Sequence, residues 1–211
     1  MFYLQRRGLM IAIIDYDAGN LRSVEKALLY LGADPVITSD QDTILKADHV
    51  ILPGVGAFGD AMKSLEERKL VPVIREVADK QIPLLGICLG LQLFFEESEE
   101  SPGVKGLGLL EGKILRIPDQ NGTLKVPHIG WNQLSFDHPG RLFTDIPEKT
   151  CVYFVHSYYL KAGDEDIVTA STEYGVKIHA SAEKDNIFAC QFHPEKSGEW
   201  GLKILDHFIN V

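Results

Sequence analysis

The sequence predicts an α/β fold: a mixed, mainly parallel central sheet flanked by helices, with an antiparallel β-rich C-terminal half. Three observations lead there. Near-continuous apolar runs such as residues 10–16 have the pattern of strands covered on both faces, and they alternate with helical-period segments through short connections. From Lys113 onward, strand-like segments follow one another with turn residues between them. One apolar run, Pro83-Leu84-Leu85-Gly86-Ile87, passes into a helical segment through Gly86-x-Cys88-x-Gly90, a strand–turn–helix arrangement with cysteine in the nucleophile's place.

Taken in order, residues 10–16 are the first strand. Asp17-Ala18-Gly19-Asn20 is a turn, and Asn20 caps a helix through Leu21, Val24, Leu28 and Leu31 that Gly32 stops. Val36-Ile37 is a short second strand, and residues 49–52 are a third, ending at Pro53. Met62, Leu65, Leu70, Val73, Ile74 and Val77 form the apolar faces of two helices parted near Lys69. The elbow strand and its helix follow, with Leu89, Gln92 and Leu93 at helical spacing. The acidic run Glu96-Glu97-Ser98-Glu99-Glu100 reads as a solvated helix end. The β-rich half comprises residues 113–117, 131–136, 152–155, 167–172, 178–183 and 187–192, several pairing antiparallel at one edge of the sheet. Residues 198–210, apolar at Leu202, Ile204, Leu205 and Phe208, form a closing helix.

With 211 residues, 45% of them hydrophobic, and no repeat or linker, the chain reads as one domain over residues 10–211. Residues 1–9 read as an extension: they carry two arginines but no apolar stretch of signal-peptide length. No run approaches the ~20 apolar residues of a membrane span. A formal charge of −9 argues against a nucleic-acid binder, which needs a basic stripe. Cys88, Cys151 and Cys190 show no C-x-x-C spacing, which suits a reducing cytoplasm rather than a disulfide framework or zinc site.

Cys88 would sit at a helix N-terminus, where unpaired N–H groups and the helix dipole favour a thiolate. The other reading of such a residue is a buried structural cysteine. His193-Pro194-Glu195 tips the balance. Two positions apart in an extended segment, His193 and Glu195 project to one side, and Pro194 pushes His193 away from helix. A carboxylate on one imidazole nitrogen and a thiol on the other is the logic of a catalytic triad, so Cys88, His193 and Glu195 are the expected catalytic group. His156, in the Tyr153-Phe154-Val155-His156-Ser157-Tyr158 strand, has no carboxylate two residues on. The Pro53-Gly54-Val55-Gly56-Ala57-Phe58-Gly59 loop has three readings. A phosphate cradle would lack the Lys-Ser/Thr and the full glycine fingerprint; a plain turn and an oxyanion hole remain. Gln92, one helical turn past Cys88, is either a surface residue or a neighbour of the thiol.

Gly86-Ile87-Cys88-Leu89-Gly90-Leu91-Gln92 with a distant His193-Pro194-Glu195 resembles the triad, or class I, glutamine amidotransferases. Five further blocks resemble, within them, the glutaminase subunits of imidazole glycerol phosphate synthases of histidine biosynthesis. They are Asp15-Tyr16-Asp17-Ala18-Gly19-Asn20, Pro53-Gly54-Val55-Gly56-Ala57-Phe58-Gly59, Pro127-His128-Ile129-Gly130-Trp131-Asn132, the Tyr153 to Tyr158 strand and His193-Pro194-Glu195-Lys196-Ser197. The likeness runs from Met10 to the C-terminus.

This resemblance implies a nucleophile-elbow amidotransferase fold and hydrolysis of L-glutamine to glutamate and ammonia through a cysteinyl thioester. It implies oxyanion donors from the N–H groups of Val55 and Leu89. Gly54 and Gly56 would lie beside bound glutamine, Gln92 at its α-amino or α-carboxylate end, and the backbone of Ser157 and Tyr158 against it. No cofactor or metal is implied. The implied partner is a (β/α)8 cyclase subunit, joined as a heterodimer, that uses the ammonia to make imidazole glycerol phosphate and aminoimidazole carboxamide ribonucleotide. Trp131, Tyr153, Asn20, Ser23 and Lys196 are the residues expected at that interface. Alternatives are a glutaminase for another synthase (anthranilate, GMP or pyridoxal phosphate), a non-catalytic scaffold of the same fold, and, from the elbow alone, a cysteine peptidase or γ-glutamyl hydrolase.

Overall fold

Successive side chains of a strand point to opposite faces, and both faces are apolar here because each enters a separate core. In β1 (Met10–Ile14), Ala12 and Ile14 pack with Val50, Leu52 and Leu84 on one side, while Ile11 and Ile13 pack with Ile51, Leu85 and Ile87 on the other. The computed structural model describes residues 8–17 and 19–211; of the expected extension, residues 1–7 lie outside the described residues. After β1 come α1 (Leu21–Tyr30), β2 (Asp34–Thr38), α2 (Gln41–Leu45), β3 (His49–Leu52), α3 (Phe58–Glu67), α4 (Val71–Asp79), β4 (Leu84–Ile87) and α5 (Leu89–Leu93). The remainder is β5 (Glu97–Ser98), β6 (Gly112–Arg116), β7 (His128–Gln133), β8 (Cys151–His156), β9 (Tyr158–Ala162), β10 (Val168–Glu173), β11 (Lys177–Lys184), β12 (Ile187–Cys190) and α6 (Gly198–Ile209).

The main sheet runs β2-β1-β3-β4-β12-β11-β9-β6-β5, with β10 added against β11. Pairing is parallel from β2 through β12 and antiparallel from β12 to β6, with β5 parallel to β6. This is the expected mixed sheet with a β-rich second half. Buried residues of α3, α4 and α5 join one core, and those of α1 and α6 the other, so helices flank both faces. No helix among the described residues is long and apolar enough to cross a membrane.

The structure departs from the sequence reading at several points. α3 and α4 do part near Lys69, which takes φ 58°. β7 begins at His128 rather than Trp131 and pairs only with β8, as a separate antiparallel ribbon that sets His128 opposite His156. β9 was not expected, because Ser157 divides one polar–aromatic stretch into two strands that join different sheets. The acidic run is not a solvated helix end. Glu97 pairs with Lys105 and Lys113, Glu96 accepts from Gly112 N–H, and Glu99 accepts from Arg116 N–H. Glu100 accepts from Phe58 N–H at 2.7 Å. Together with Ser101 Oγ, which accepts from Gly59 N–H at 2.9 Å, Glu100 satisfies the first donors of α3. The anion at that helix N-terminus is the protein's own carboxylate, which removes the phosphate-cradle reading of the preceding loop.

Between β4 and α5 the chain turns so sharply that Cys88 adopts φ 55°, ψ −107°, a conformation costing a non-glycine residue about 1–3 kcal/mol. Both glycines are needed for close approach: a Cβ on Gly86 would lie 2.7 Å from the Gly90 carbonyl oxygen, and one on Gly90 would run into the Leu52 carbonyl of β3. Gly90→Ala is therefore expected to destabilise the fold by about 1–3 kcal/mol, the usual range for overpacking. A urea unfolding midpoint equal to that of the parent protein would show that the elbow does not need this approach.

Candidate active site

The thiol and the imidazole meet because β4 and β12 are parallel neighbours. Ile87 pairs with Cys190, and Cys88 N–H donates to Cys190 O at 2.8 Å. The two chains therefore leave the carboxyl edge of the sheet side by side, where open α/β sheets hold their ligands. Three residues past Cys190, His193 is fixed by its own backbone: its N–H donates to Tyr153 O at 2.9 Å, and its carbonyl accepts from Ser197 Oγ at 2.6 Å.

His193 is fully buried, and its Nδ1 lies 2.8 Å from Glu195 Oε1. The segment between them is not extended as expected. Residues Pro194–Lys196 form a 3-10 turn with proline in its first turn, and this turn folds the carboxylate back under the ring. Glu195 Oε1 also accepts from Asn20 Nδ2 at 2.6 Å. The side chain of Asn20 does not cap α1; with the backbone left-handed at φ 75°, its amide reaches the carboxylate instead. Nε2 of His193 makes no complete hydrogen bond in this conformation, yet Cys88 stands near enough to act on the ring. Burial, the largest influence, lowers the imidazole pKa, but Cys88 and Glu195 together raise it to about 9, so the ring holds both protons through neutral pH.

A cavity of about 280 Å³ opens beside the thiol, lined among others by Val55, Gly56, Cys88, Leu89, Gln92 and Glu100. Ser157 and Tyr158 border it, and Pro127 and Glu100, neither of them expected at the site, also line it. Gly54 lies just behind, packed against Tyr16 and Leu89. Gln92 is buried rather than superficial. Its Nε2 donates to Tyr158 O and to Gln191 Oε1, both at 3.1 Å. Of the two expected oxyanion donors, Leu89 N–H is occupied: it donates to Gly54 O at 3.4 Å. In this conformation the Gly54 carbonyl occupies that N–H. Val55 is 42% exposed.

His156 also borders the cavity, but both its nitrogens are committed. Nδ1 donates to Tyr158 O at 2.9 Å, which leaves Nε2 to accept from His128 Nδ1 at 3.0 Å. His128 Nε2 in turn lies 3.4 Å from Asn132 Nδ2. Burial lowers the His128 pKa to about 4. It lowers that of His156 to about 3, with the charges of His128 and His193 adding to the effect and the bond to Tyr158 partly opposing it. A ring so held is a poor base. On the outer face of the ribbon, Trp131 and Ile129 are 57% and 60% exposed, and Tyr153 meets Trp131 edge-on at 6.0 Å between centroids. Lys196 is exposed in the turn that carries Glu195, and Ser23 is half-buried on the first turn of α1.

Comparison with known proteins identifies the family. The family model described as glutamine amidotransferase class-I matches residues 12–211. An imidazole glycerol phosphate synthase subunit HisH of Moorella thermoacetica is 54% identical over 94% of this chain and 93% of its own. The protein of that name from Bacillus cereus strain G9842 is 52% identical over 96% and 95%. Among solved structures, one described as PurLQS from Thermotoga maritima superposes with a TM-score of 0.73 at 23% identity, covering 95% of this chain and 97% of that one, a likeness of fold. A family match spanning nearly the whole described chain, and relatives more than half identical along their length, place this protein in the class-I glutamine amidotransferase family.

Proposed function

We propose that this chain is the glutaminase subunit of an imidazole glycerol phosphate synthase, with residues 10–211 as a single amidotransferase domain working in the cytoplasm. One observation carries the reading: Cys88 and the His193–Glu195 pair lie together at one sheet edge, beside a cavity of about 280 Å³. Cys88 sulfur attacks the side-chain carboxamide carbon of glutamine, giving a tetrahedral oxyanion. His193 passes its Nε2 proton to the nitrogen, ammonia leaves, and a γ-glutamyl thioester remains. The neutral ring then takes a proton from water as it attacks the thioester, and glutamate departs with return of the sulfur. Glu195, steadied by Asn20, orients the ring and stabilises its charged form. Both Gln92 N–H groups are committed to protein acceptors, so its Oε1 is the atom free to accept from the substrate's α-ammonium. Glu100 adds a negative charge at the same cavity.

The Gly54 carbonyl at Leu89 N–H must leave before the oxyanion can form. Turning over the Gly54–Val55 peptide would remove it and bring the Val55 N–H inward, which assembles both expected donors. Loss of one such donor elsewhere costs about 10²–10³ in rate, so the resting chain is a slow glutaminase. Ammonia released without an acceptor is wasted, which fits a (β/α)8 cyclase partner seated over Trp131 and Tyr153 in a heterodimer.

The direct test is glutamate release by the chain with and without a purified cyclase subunit and its ribonucleotide ligand. Strong stimulation is expected, and equal rates would end the coupling. Cys88→Ala should abolish turnover in both settings with little change in melting temperature, and retained turnover would remove the thiol from the mechanism. Glu195→Gln removes one of the two groups that hold the His193 pKa up against burial. By ¹⁵N NMR its titration should move from about 9 to lower pH, and kcat should fall by on the order of 10²–10⁴. An unmoved titration would show that the carboxylate does not act on the ring.

A further inference from the structure

Gln191 is the first residue past β12 and is wholly buried. A polar amide is out of place in the apolar run from Ile187 to Phe192 unless both its heteroatoms are bonded. They are. Oε1 accepts from Gln92 Nε2 at 3.1 Å, and Nε2 donates to Cys88 Sγ at 3.7 Å. The orientation of this amide is forced by its neighbours. Gln92 Nε2 also faces the Tyr158 carbonyl at 3.1 Å, which can only accept, so the atom beside Tyr158 O must be the Gln92 nitrogen. Its second partner must then be the Gln191 oxygen, which turns the Gln191 N–H groups to the sulfur.

The only other hydrogen bond of the sulfur among the described residues is to Val155 O at 3.8 Å. That contact uses the S–H, so it is absent once the sulfur is a thiolate paired with the protonated His193 ring. The Gln191 contact behaves in the opposite way and strengthens once its acceptor carries charge. The dipole of α5 is a weak substitute, because the helix has only five residues and its first N–H, from Leu89, is already bonded to Gly54.

We propose that Gln191 is a further catalytic residue of this site, whose side-chain N–H binds the Cys88 sulfur and stabilises the thiolate that attacks glutamine. The proposal rests on Cys88 being the nucleophile. It also explains the residue type: a glutamate of the same shape would set a carboxylate against the sulfur, and an apolar side chain would leave the thiolate and Gln92 without their partner.

The test reads the thiol itself, independently of turnover. Iodoacetamide alkylation of Cys88 is followed by mass spectrometry of its peptide, which separates it from exposed Cys151. In Gln191→Glu, and in Gln191→Met of similar length without charge or donor, alkylation at neutral pH should slow about tenfold or more, the scale of one hydrogen bond to a charged group. The whole pH–rate profile should move to higher pH, and kcat should fall while KM for glutamine changes less than about threefold. In the unaltered protein, where folding is not in question, the Gln191 side-chain amide resonance should titrate with the same midpoint as Cys88 alkylation. An alkylation profile that superimposes on that of the parent overturns the proposal, even with a raised KM, since Gln191 would then only support Gln92. A flat amide resonance overturns it as well. Retained turnover in Cys88→Ala, by contrast, would defeat the glutaminase reading and with it the catalytic role of Gln191, whereas the alkylation profile reads the contact of Gln191 with the sulfur by itself.

Discussion

The parallel pairing of β4 with β12 is the constraint from which the site follows. The paired ends of the two strands, Ile87 and Cys190, are 103 positions apart in sequence. Nothing local brings them together. What does is burial: both strands lie in the middle of the sheet with apolar cores on each face, where every backbone N–H needs a partner. The bond from Cys88 N–H to Cys190 O meets that need one residue beyond the end of β4, and in doing so it fixes where Cys88 stands relative to His193. The elbow's unfavourable φ of 55° is sustained by the same packing, since Gly86 and Gly90 sit against backbone that cannot move without opening the sheet.

Within that frame the environment assigns different tasks to chemically identical side chains. His193 and His156 are both buried, and each is near the cavity. One has a carboxylate and a sulfur beside it and is held protonated to about pH 9. The other donates to a carbonyl, accepts from a second histidine and stays neutral down to about pH 3. Their burial is similar, and the difference comes from what each nitrogen faces. The neutral pair has a structural consequence too. It pins the Tyr158 carbonyl, which in turn holds Gln92 and, through it, Gln191.

What the sequence disclosed was what is encoded locally. Most of the apolar strands, the break at Lys69 and the glycines either side of Cys88 are short-range patterns, and they appear where they were expected. What stayed hidden was side-chain pairing over long separations. Asn20 reads as a helix cap because asparagine before an apolar-periodic run commonly is one; only the fold brings Glu195 within 2.6 Å of it. Glu100 reads as one of a solvated run because its partner, the N–H of Phe58, is 42 positions away. Gln191 did leave a trace, as a polar residue inside an apolar strand, but its meaning depends on which sulfur lies opposite. The likeness to a known family suggested Val55 and Leu89 as oxyanion donors, and both line the cavity, yet no motif encodes which way the Gly54–Val55 peptide faces.

That last point bears on how such a site is controlled. A carbonyl and an N–H exchange places when one peptide turns over, so a single backbone rotation separates an occupied oxyanion site from an open one. If the open form is a minor population, turnover is reduced by that fraction, and any surface that binds the open form more tightly raises the rate by the same factor. The loop is placed to feel such a surface. Tyr16 holds the Pro53 carbonyl at 2.8 Å, Gly19 packs against Val55, and Val55 itself is 42% exposed, so one side of the loop is anchored to the core and the other is open to contact. The His193–Glu195 pair needs no adjustment on binding, because the two are already in hydrogen-bond contact. The proposed control therefore acts on transition-state stabilisation and leaves the nucleophile and base untouched, which is the arrangement that lets a partner start the reaction without rebuilding the site.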